Sequence, residues 1–225
     1  MLSKILYRFS RILVQGYAKL LLKMDVTWRD SQPVGPVVYA ANHPSTTDPI
    51  LIQLISKKPM SVMIASKVFS IPILGAYMRK MNQICVSPGK GEMVLEQARQ
   101  TLKAGRSVTI FPEGLISPAG GRFNTPRSGV ARLALSSGVP VIPIGIYLSD
   151  KGCRRIPATL EGEPDIVTWY LHGPYSITIG KPMLFRGNVD DKDFVRKVAE
   201  SIMQSIRGLV LESQQRVCPV LVGNH

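Results

Sequence analysis

Apolar strand-like runs alternate with helix-period segments along most of this chain. That predicts an α/β fold: a single domain with a mostly parallel sheet flanked by helices, carrying an N-terminal amphipathic helix. Three observations carry the prediction. Pro36 to Ala41 (PVVYAA) and Val139 to Ile146 are short apolar runs beside turn residues, as strands buried on both faces would be. Glu92 to Lys103 repeats its apolar positions at helical spacing and is closed by Gly105. A length of 225 residues, with 45% hydrophobic and 19% charged residues, suits one domain with a substantial core.

Residues 1–24 read as a helix. Lys4, Arg8, Arg11, Gln15 and Lys19 recur every three or four positions and share one face, while Leu2, Ile5, Leu6, Phe9, Ile12, Leu13 and Leu20 fill the opposite one. A signal peptide would place its charges ahead of an unbroken apolar core, and here the two are interleaved. Such a helix suits an anionic membrane interface; it also suits a terminal helix packed on the protein's own core with its basic face solvated. Residues 25–225 then form the domain proper.

Further along, Asp48-Pro49 marks a helix start, with Asp48 as N-cap and Pro49 at the first helical position, running to Ser56. Met60 to Ala65, Ile84 to Val86, Ser107 to Phe111 and Tyr175 to Ile179 read as strands. Gly129 to Ser136 and Asp193 to Leu211 read as helices. No apolar stretch approaches the roughly 20 residues of a membrane-spanning helix. There is no internal repeat and no low-complexity linker.

The net charge of +13 and a pI near 9.9 point to an anionic partner: nucleic acid, a phospholipid surface or a phosphorylated substrate. Aromatic content is 7%, without the basic–aromatic interleaving that base stacking needs, so lipid is favoured and no nucleic acid is expected. Cys85, Cys153 and Cys218 lie far apart with no Cys-x-x-Cys pair, which argues against a disulfide framework or a zinc site and suits a reducing compartment. Gly89-Lys90-Gly91 lacks the upstream glycine and following Ser/Thr of a nucleotide loop.

In a parallel sheet, chemistry gathers where loops leave the carboxyl ends of strands. Two such loops stand out. The first is Asn42-His43-Pro44-Ser45-Thr46-Thr47-Asp48. Of the three histidines, His225 is terminal and His172 adjoins Gly173-Pro174, so His43 alone has a carboxylate close by in a polar loop. A neutral imidazole accepts a hydroxyl proton best when its other nitrogen donates to a carboxylate, and Asp48 is placed to fold back across the Pro44–Thr47 turn. Alternatively Asp48 caps the helix alone; one carboxylate can do both. The second loop is Phe111-Pro112-Glu113-Gly114. Pro112 ends the strand, Glu113 is presented where a carboxylate could accept from an acceptor hydroxyl, and Gly114 lets the backbone turn closely past a ligand. An ordinary turn with a solvated Glu113 would read the same way.

Together these loops resemble the glycerolipid acyltransferase family, which includes the 1-acylglycerol-3-phosphate acyltransferases. Asn42, His43 and Asp48 match its Asn-His-x4-Asp block, residues 111–114 its Phe-Pro-Glu-Gly block, and Val139-Pro140-Val141-Ile142-Pro143 its Val-Pro-hydrophobic-hydrophobic-Pro strand. The blocks fall in the family's order, over residues 36–148. The resemblance implies acyl transfer from acyl-CoA or acyl-carrier protein as co-substrate to a lysophospholipid hydroxyl, without cofactor, metal or covalent acyl-enzyme. His43 would be the general base and Asp48 its orienting partner. Phe111, Pro112, Glu113 and Gly114 would help bind the glycerophosphate, and Pro143 would line the acyl-binding side. It also implies a peripheral or monotopic enzyme on the cytoplasmic face of an anionic membrane.

Two blocks depart from the pattern. The second usually ends in an arginine after a short strand, whereas Ile84-Cys85-Val86 is followed by Ser87-Pro88-Gly89-Lys90. After Phe-Pro-Glu-Gly many members carry Thr-Arg-Ser, and this chain has Leu115-Ile116-Ser117. Lys90, Arg122 and Arg127 are the nearest cations to replace the lost charge. An aminolipid or glycolipid acceptor is the close rival. A serine hydrolase would need a Gly-x-Ser-x-Gly elbow, which is absent. A non-catalytic basic adaptor for membrane or nucleic acid explains the charge and leaves the ordered loops as coincidence.

Overall fold

The computed structural model describes residues 2–160 and 162–218, so residues 219–225, with the predicted domain's end and His225, lie outside the described residues. The chain opens with α1 (Leu2–Leu20) and β1 (Asp25–Trp28), then β2 (Val38–Ala41), which delivers the chain into α2 (Asp48–Leu51) and a 3-10 turn over Ile52–Ile55. There follow β3 (Ser61–Ala65), α3 (Ser66–Phe69), α4 (Pro72–Lys80), β4 (Ile84–Val86), α5 (Gly91–Lys103), β5 (Val108–Ile110), α6 (Gly129–Ser137) and β6 (Val141–Leu148). The hairpin strands β7 (Cys153–Leu160) and β8 (Glu163–Tyr170), then β9 (Tyr175–Ile179) and α7 (Lys192–Val217), complete the described chain.

The main sheet has seven strands in the order β1-β9-β6-β2-β5-β3-β4. β6, β2, β5, β3 and β4 run parallel, β9 pairs antiparallel with β6, and β1 pairs parallel with β9. The carboxyl ends of the five parallel strands therefore share one edge, where the His43 and Glu113 loops emerge. Burial explains the apolar runs. On β2, Val38 and Ala40 face α5, α6 and α7, while Tyr39 and Ala41 face the layer of α1, α2 and α4, and all four are buried. Ile142 and Ile144 of β6 join the second layer and Val141 the first. Each fully buried side chain of this kind contributes about 1.5–3 kcal/mol.

The predicted elements form, with shifts at their ends. Gly105 closes α5, its N–H donating to Leu102 O at 2.9 Å. β1, α3, α4 and the β7–β8 hairpin are additions. β1 (DVTW) is too short to show a period, and it forms by pairing Asp25–Trp28 with Ser176–Ile179 far along the chain. The helix at Asp48 differs from expectation. Thr47 is the N-cap without a side-chain cap bond, Asp48 is already helical, and α2 tightens to a 3-10 turn after Leu51. Asp48 does not cap because its carboxylate is engaged elsewhere, as described below.

α1 docks by an unexpected face. Tyr77 donates to Ser10 Oγ (2.8 Å), Arg11 donates to the carbonyls of Gln53 (2.9 Å) and Leu54 (3.4 Å), and Tyr17 donates to Tyr170 O (2.6 Å). Ala18 and Leu22 are buried in the core. Arg11 thus leaves the basic stripe and ties the helix to the α2 segment. The apolar residues point outward: Ile5 is 55% exposed, Phe9 60%, Ile12 65%, Leu13 58% and Leu20 77%. No described helix is long and apolar enough to cross a membrane.

α7 lies directly on β6 because Gly145 has no side chain. A Cβ there would stand 2.2 Å from Leu209 C and 2.3 Å from Val210 N. Both contacts are backbone, so neither can rotate away. Gly145→Ala is expected to destabilise the protein by about 3 kcal/mol, the upper end of ordinary overpacking; denaturant unfolding checks this, and an unchanged midpoint would contradict the described packing.

Candidate active site

The site begins where β2 ends. Asn42, buried, continues the strand with its side chain: Nδ2 donates to Ile146 O (2.8 Å) and Ile146 N donates to Oδ1 (2.7 Å). That pair fixes where the chain leaves the sheet and His43 begins. The His43 ring stacks on Phe111, with centroids 4.1 Å apart and planes at 18°. Its Nδ1 meets Asp48 Oδ2 at 2.9 Å, so with Asp48 ionised Nδ1 donates, leaving Nε2 as the acceptor. Nε2 has no hydrogen-bond partner among the described residues, and the side chain is 17% exposed.

Asp48 is fully buried and its carboxylate is saturated. Oδ2 accepts from His43 Nδ1 and from Ser45 N (2.8 Å); Oδ1 accepts from Ser45 Oγ (2.9 Å) and from the Tyr175 hydroxyl (2.8 Å). A buried carboxylate remains charged only with such donors. Burial and the Asp48 charge push the Tyr175 phenol well above its ordinary value, so this hydroxyl stays protonated and donates. The turn is clamped from outside by β8: Thr46 N donates to Thr168 O (2.7 Å), Thr168 N to Thr46 Oγ1 (3.0 Å), and Tyr170 N to Thr47 Oγ1 (3.1 Å).

Glu113 departs from its expected role. It is buried, and its carboxylate accepts from Ser117 Oγ, His43 N (3.4 Å), Asn124 N (2.7 Å) and Asn124 Nδ2 (3.2 Å). With its oxygens occupied, Glu113 organises the loop and does not reach for an acceptor hydroxyl. Ser117 completes the link, its N–H donating to His43 O at 2.7 Å. Gly114 sits at φ +67°, and what passes close to it is the Arg127 side chain, 2.7 Å at Nε from where a Cβ would be. Arg127 N also donates to Pro112 O (2.8 Å).

His43, Asp48, Phe111, Pro112, Glu113, Gly114 and Arg127 are therefore brought together. Arg122 is exposed, with Nε on Ala119 O at 3.2 Å. Lys90 is exposed before α5, beyond β4; with β5 and β3 between, β4 lies roughly 14 Å from β2 at about 4.8 Å per strand. Pro143 lies away from His43, on the α7 face of the sheet beside Gly180 and Leu209. Asn42, Ser45, Ser117, Asn124 and Tyr175 complete the site. The Asn and Ser positions lie in or just after the two singled-out loops; Tyr175 carries no local signal, since only the fold brings β9 to Asp48.

Comparison with known proteins gives the family and the fold. The protein-family profile described as Acyltransferase matches residues 23–147, more than half the chain. The chain belongs to that acyltransferase family. A 1-acyl-sn-glycerol-3-phosphate acyltransferase of Pseudomonas aeruginosa is 28% identical over 62% of this chain and 57% of its own length. A chloroplastic 1-acyl-sn-glycerol-3-phosphate acyltransferase of Arabidopsis thaliana is 31% identical over 74% of this chain and 45% of its own. The chain thus spans about half the length of these two relatives. A lyso-ornithine lipid O-acyltransferase of Pseudomonas aeruginosa is 24% identical over 87% of this chain and 77% of its own. The crystal structure of the 1-acyl-sn-glycerophosphate acyltransferase PlsC from Thermotoga maritima has the same fold, with a TM-score of 0.67 at 21% identity, covering 93% of this chain and 80% of that one.

The Glu113 network predicts a stability effect. Glu113→Gln places an amide NH2 among groups that donate, and is expected to cost about 1–3 kcal/mol. Thermal or denaturant unfolding measures this; wild-type stability would contradict the network's contribution to the fold.

Proposed function

We propose that this protein transfers a fatty acyl group from an acyl thioester, acyl-CoA or acyl-carrier protein, to a lysophospholipid hydroxyl, with 1-acylglycerol-3-phosphate as the acceptor. The observation that carries this reading is the His43–Asp48 pair, in which the buried carboxylate holds Nδ1 and leaves Nε2 free. Nε2 takes the acceptor's hydroxyl proton as that oxygen attacks the thioester carbonyl. Collapse of the tetrahedral intermediate expels the thiolate, which recovers the proton from His43. Asp48 stabilises the imidazolium between those steps. Arg127, lying across Gly114 beside the base, is the cation best placed for the acceptor phosphate.

A second reading has its own support. The second block ends without arginine, Arg122 is exposed with its Nε on Ala119 O, and a relative aligned over 87% of this chain is named for a lyso-ornithine lipid. A lyso-aminolipid acceptor would need less phosphate-binding charge.

The membrane setting rests on α1. A lysophospholipid is delivered from a bilayer, and the exposed Ile5, Phe9, Ile12, Leu13 and Leu20 lie beside the exposed basic residues Arg8 and Lys19. An amphipathic helix of that kind lies in the interface, each basic residue adding on the order of 1 kcal/mol on anionic lipid. A peripheral placement on the cytoplasmic face of a membrane fits this helix.

His43→Ala is expected to lower turnover by about 10²- to 10⁴-fold and, by taking one donor from the buried Asp48 carboxylate, to cost about 1–3 kcal/mol of stability while the protein still folds; normal turnover by a folded variant would remove the mechanism. Across a panel of acceptors with acyl-CoA, turnover of 1-acylglycerol-3-phosphate, with its KM raised by Arg127→Ala far more than the donor's, supports the first reading. Turnover confined to lyso-ornithine lipid would select the second.

Phe9→Glu with Ile12→Glu is expected to weaken sedimentation with anionic vesicles while leaving the fold intact, and high salt should weaken the wild type. These exposed positions are preferred to a truncation, which would also remove the buried Ala18 and Leu22. Equal sedimentation of variant and wild type would assign the exposed face another role.

A further inference from the structure

Tyr175 stands outside the loops that carry the family's motifs and outside the matched residues 23–147, yet it reaches the buried end of the His43–Asp48 pair. Its ring is fully buried on β9, 6.2 Å from the Tyr170 ring at a tilt of 48°. Its backbone N–H donates to Leu22 O at 3.0 Å, so the residue is anchored by the segment that follows α1 as well as by the sheet. The hydroxyl touches nothing that could be substrate. Its hydrogen-bond partner is Asp48 Oδ1.

We propose that Tyr175 is a positioning residue for acyl transfer: by donating to Asp48 Oδ1 it fixes the carboxylate so that Oδ2 faces His43 Nδ1. This rests on the reading of His43 as the base. The geometry allows little redundancy. Each Asp48 oxygen has two donors, Ser45 supplies one to each, and Tyr175 and His43 supply the others. Ser45 is on the same turn as Asp48 and moves with it, whereas Tyr175 is 127 residues away and fixed in the core. The tyrosine ties Oδ1 to a strand of the sheet, as His43 at the end of β2 does Oδ2.

The bond also sets the charge that His43 sees. Loss of the Tyr175 donor leaves Oδ1 less solvated, so the carboxylate attracts a proton more strongly. An imidazolium at His43 is then stabilised, and His43 titrates at higher pH. The other titratable or charged groups around the pair are Glu113 after β5, which accepts from His43 N, Arg127 across Gly114, Cys153 at the start of β7, and Tyr170 and Tyr17 beyond Tyr175. All remain in place when only the Tyr175 oxygen is removed.

The test is an NMR titration of the His43 ring in the full chain, its signal assigned by its absence from His43→Ala. Tyr175→Phe is expected to raise the His43 midpoint by about one pH unit, a tenfold change in proton affinity. In an Asp48→Asn background the same change should leave the midpoint unmoved. Placing 3-fluorotyrosine at 175, a stronger donor in the same shape, should lower the midpoint, and this variant serves if Tyr175→Phe unfolds. An unmoved midpoint, or an equal shift without the Asp48 carboxylate, would overturn the inference. Activity is a separate reading: wild-type turnover by His43→Ala would overturn the proposed mechanism, and with it any part Tyr175 plays in acyl transfer.

Discussion

A carboxylate without exposed surface must find donors for both oxygens or give up its charge. Asp48 finds four, and each comes from a place that the rest of the fold must supply. Ser45 requires the turn after His43, and that turn requires the β8 edge that pairs with Thr46 and Thr47. Tyr175 requires β9 to return antiparallel beside β6. His43 requires Asn42 to end β2 against Ile146, and Phe111 to back its ring. Loss of one support leaves a buried charge less compensated, so the site is more tightly specified than its loop setting suggests.

Glu113 repeats the same device one strand away. It too is a buried carboxylate, and its donors Ser117, Asn124 and the His43 N–H join the two loops into one unit. The two acidic residues thus divide the work. Asp48 holds the imidazole nitrogen, and Glu113 holds the backbone from which that imidazole hangs. The surface left exposed beside the two carboxylates is small: the partly exposed His43 ring, the Gly114 turn and the Arg127 side chain crossing it.

Much of this could be read in the sequence because local chemistry encodes it. A buried parallel strand must be apolar on both faces, so β2 and β6 announced themselves. His43 and Asp48 are five residues apart in one turn, and a turn is local. What could not be read depends on long-range closure. β1 exists only because β9 lies beside it, and Tyr175 meets Asp48 only because the sheet folds them together. The orientation of α1 was hidden for a related reason. Its periodicity defines two faces, but which one docks is decided by hydrogen bonds from Tyr77 and to Gln53, Leu54 and Tyr170. Glu113 was placed at the right loop with the wrong partners, because Asn124 and Ser117 approach it only in the folded chain.

The central claim is direct transfer, with the acceptor hydroxyl itself as nucleophile. The hydroxyls nearest His43 are already engaged: Ser45 with Asp48 and Thr47, Ser117 with Glu113. Neither is paired with His43 Nε2, the nitrogen that would activate it. Rapid-quench analysis with a labelled acyl thioester and lysolipid vesicles tests this most directly. Label is expected to pass from thioester to product lipid with none bound covalently to the protein at any time, and none bound when the acceptor is omitted. An acyl-protein species that forms first and is chased into lipid would contradict it.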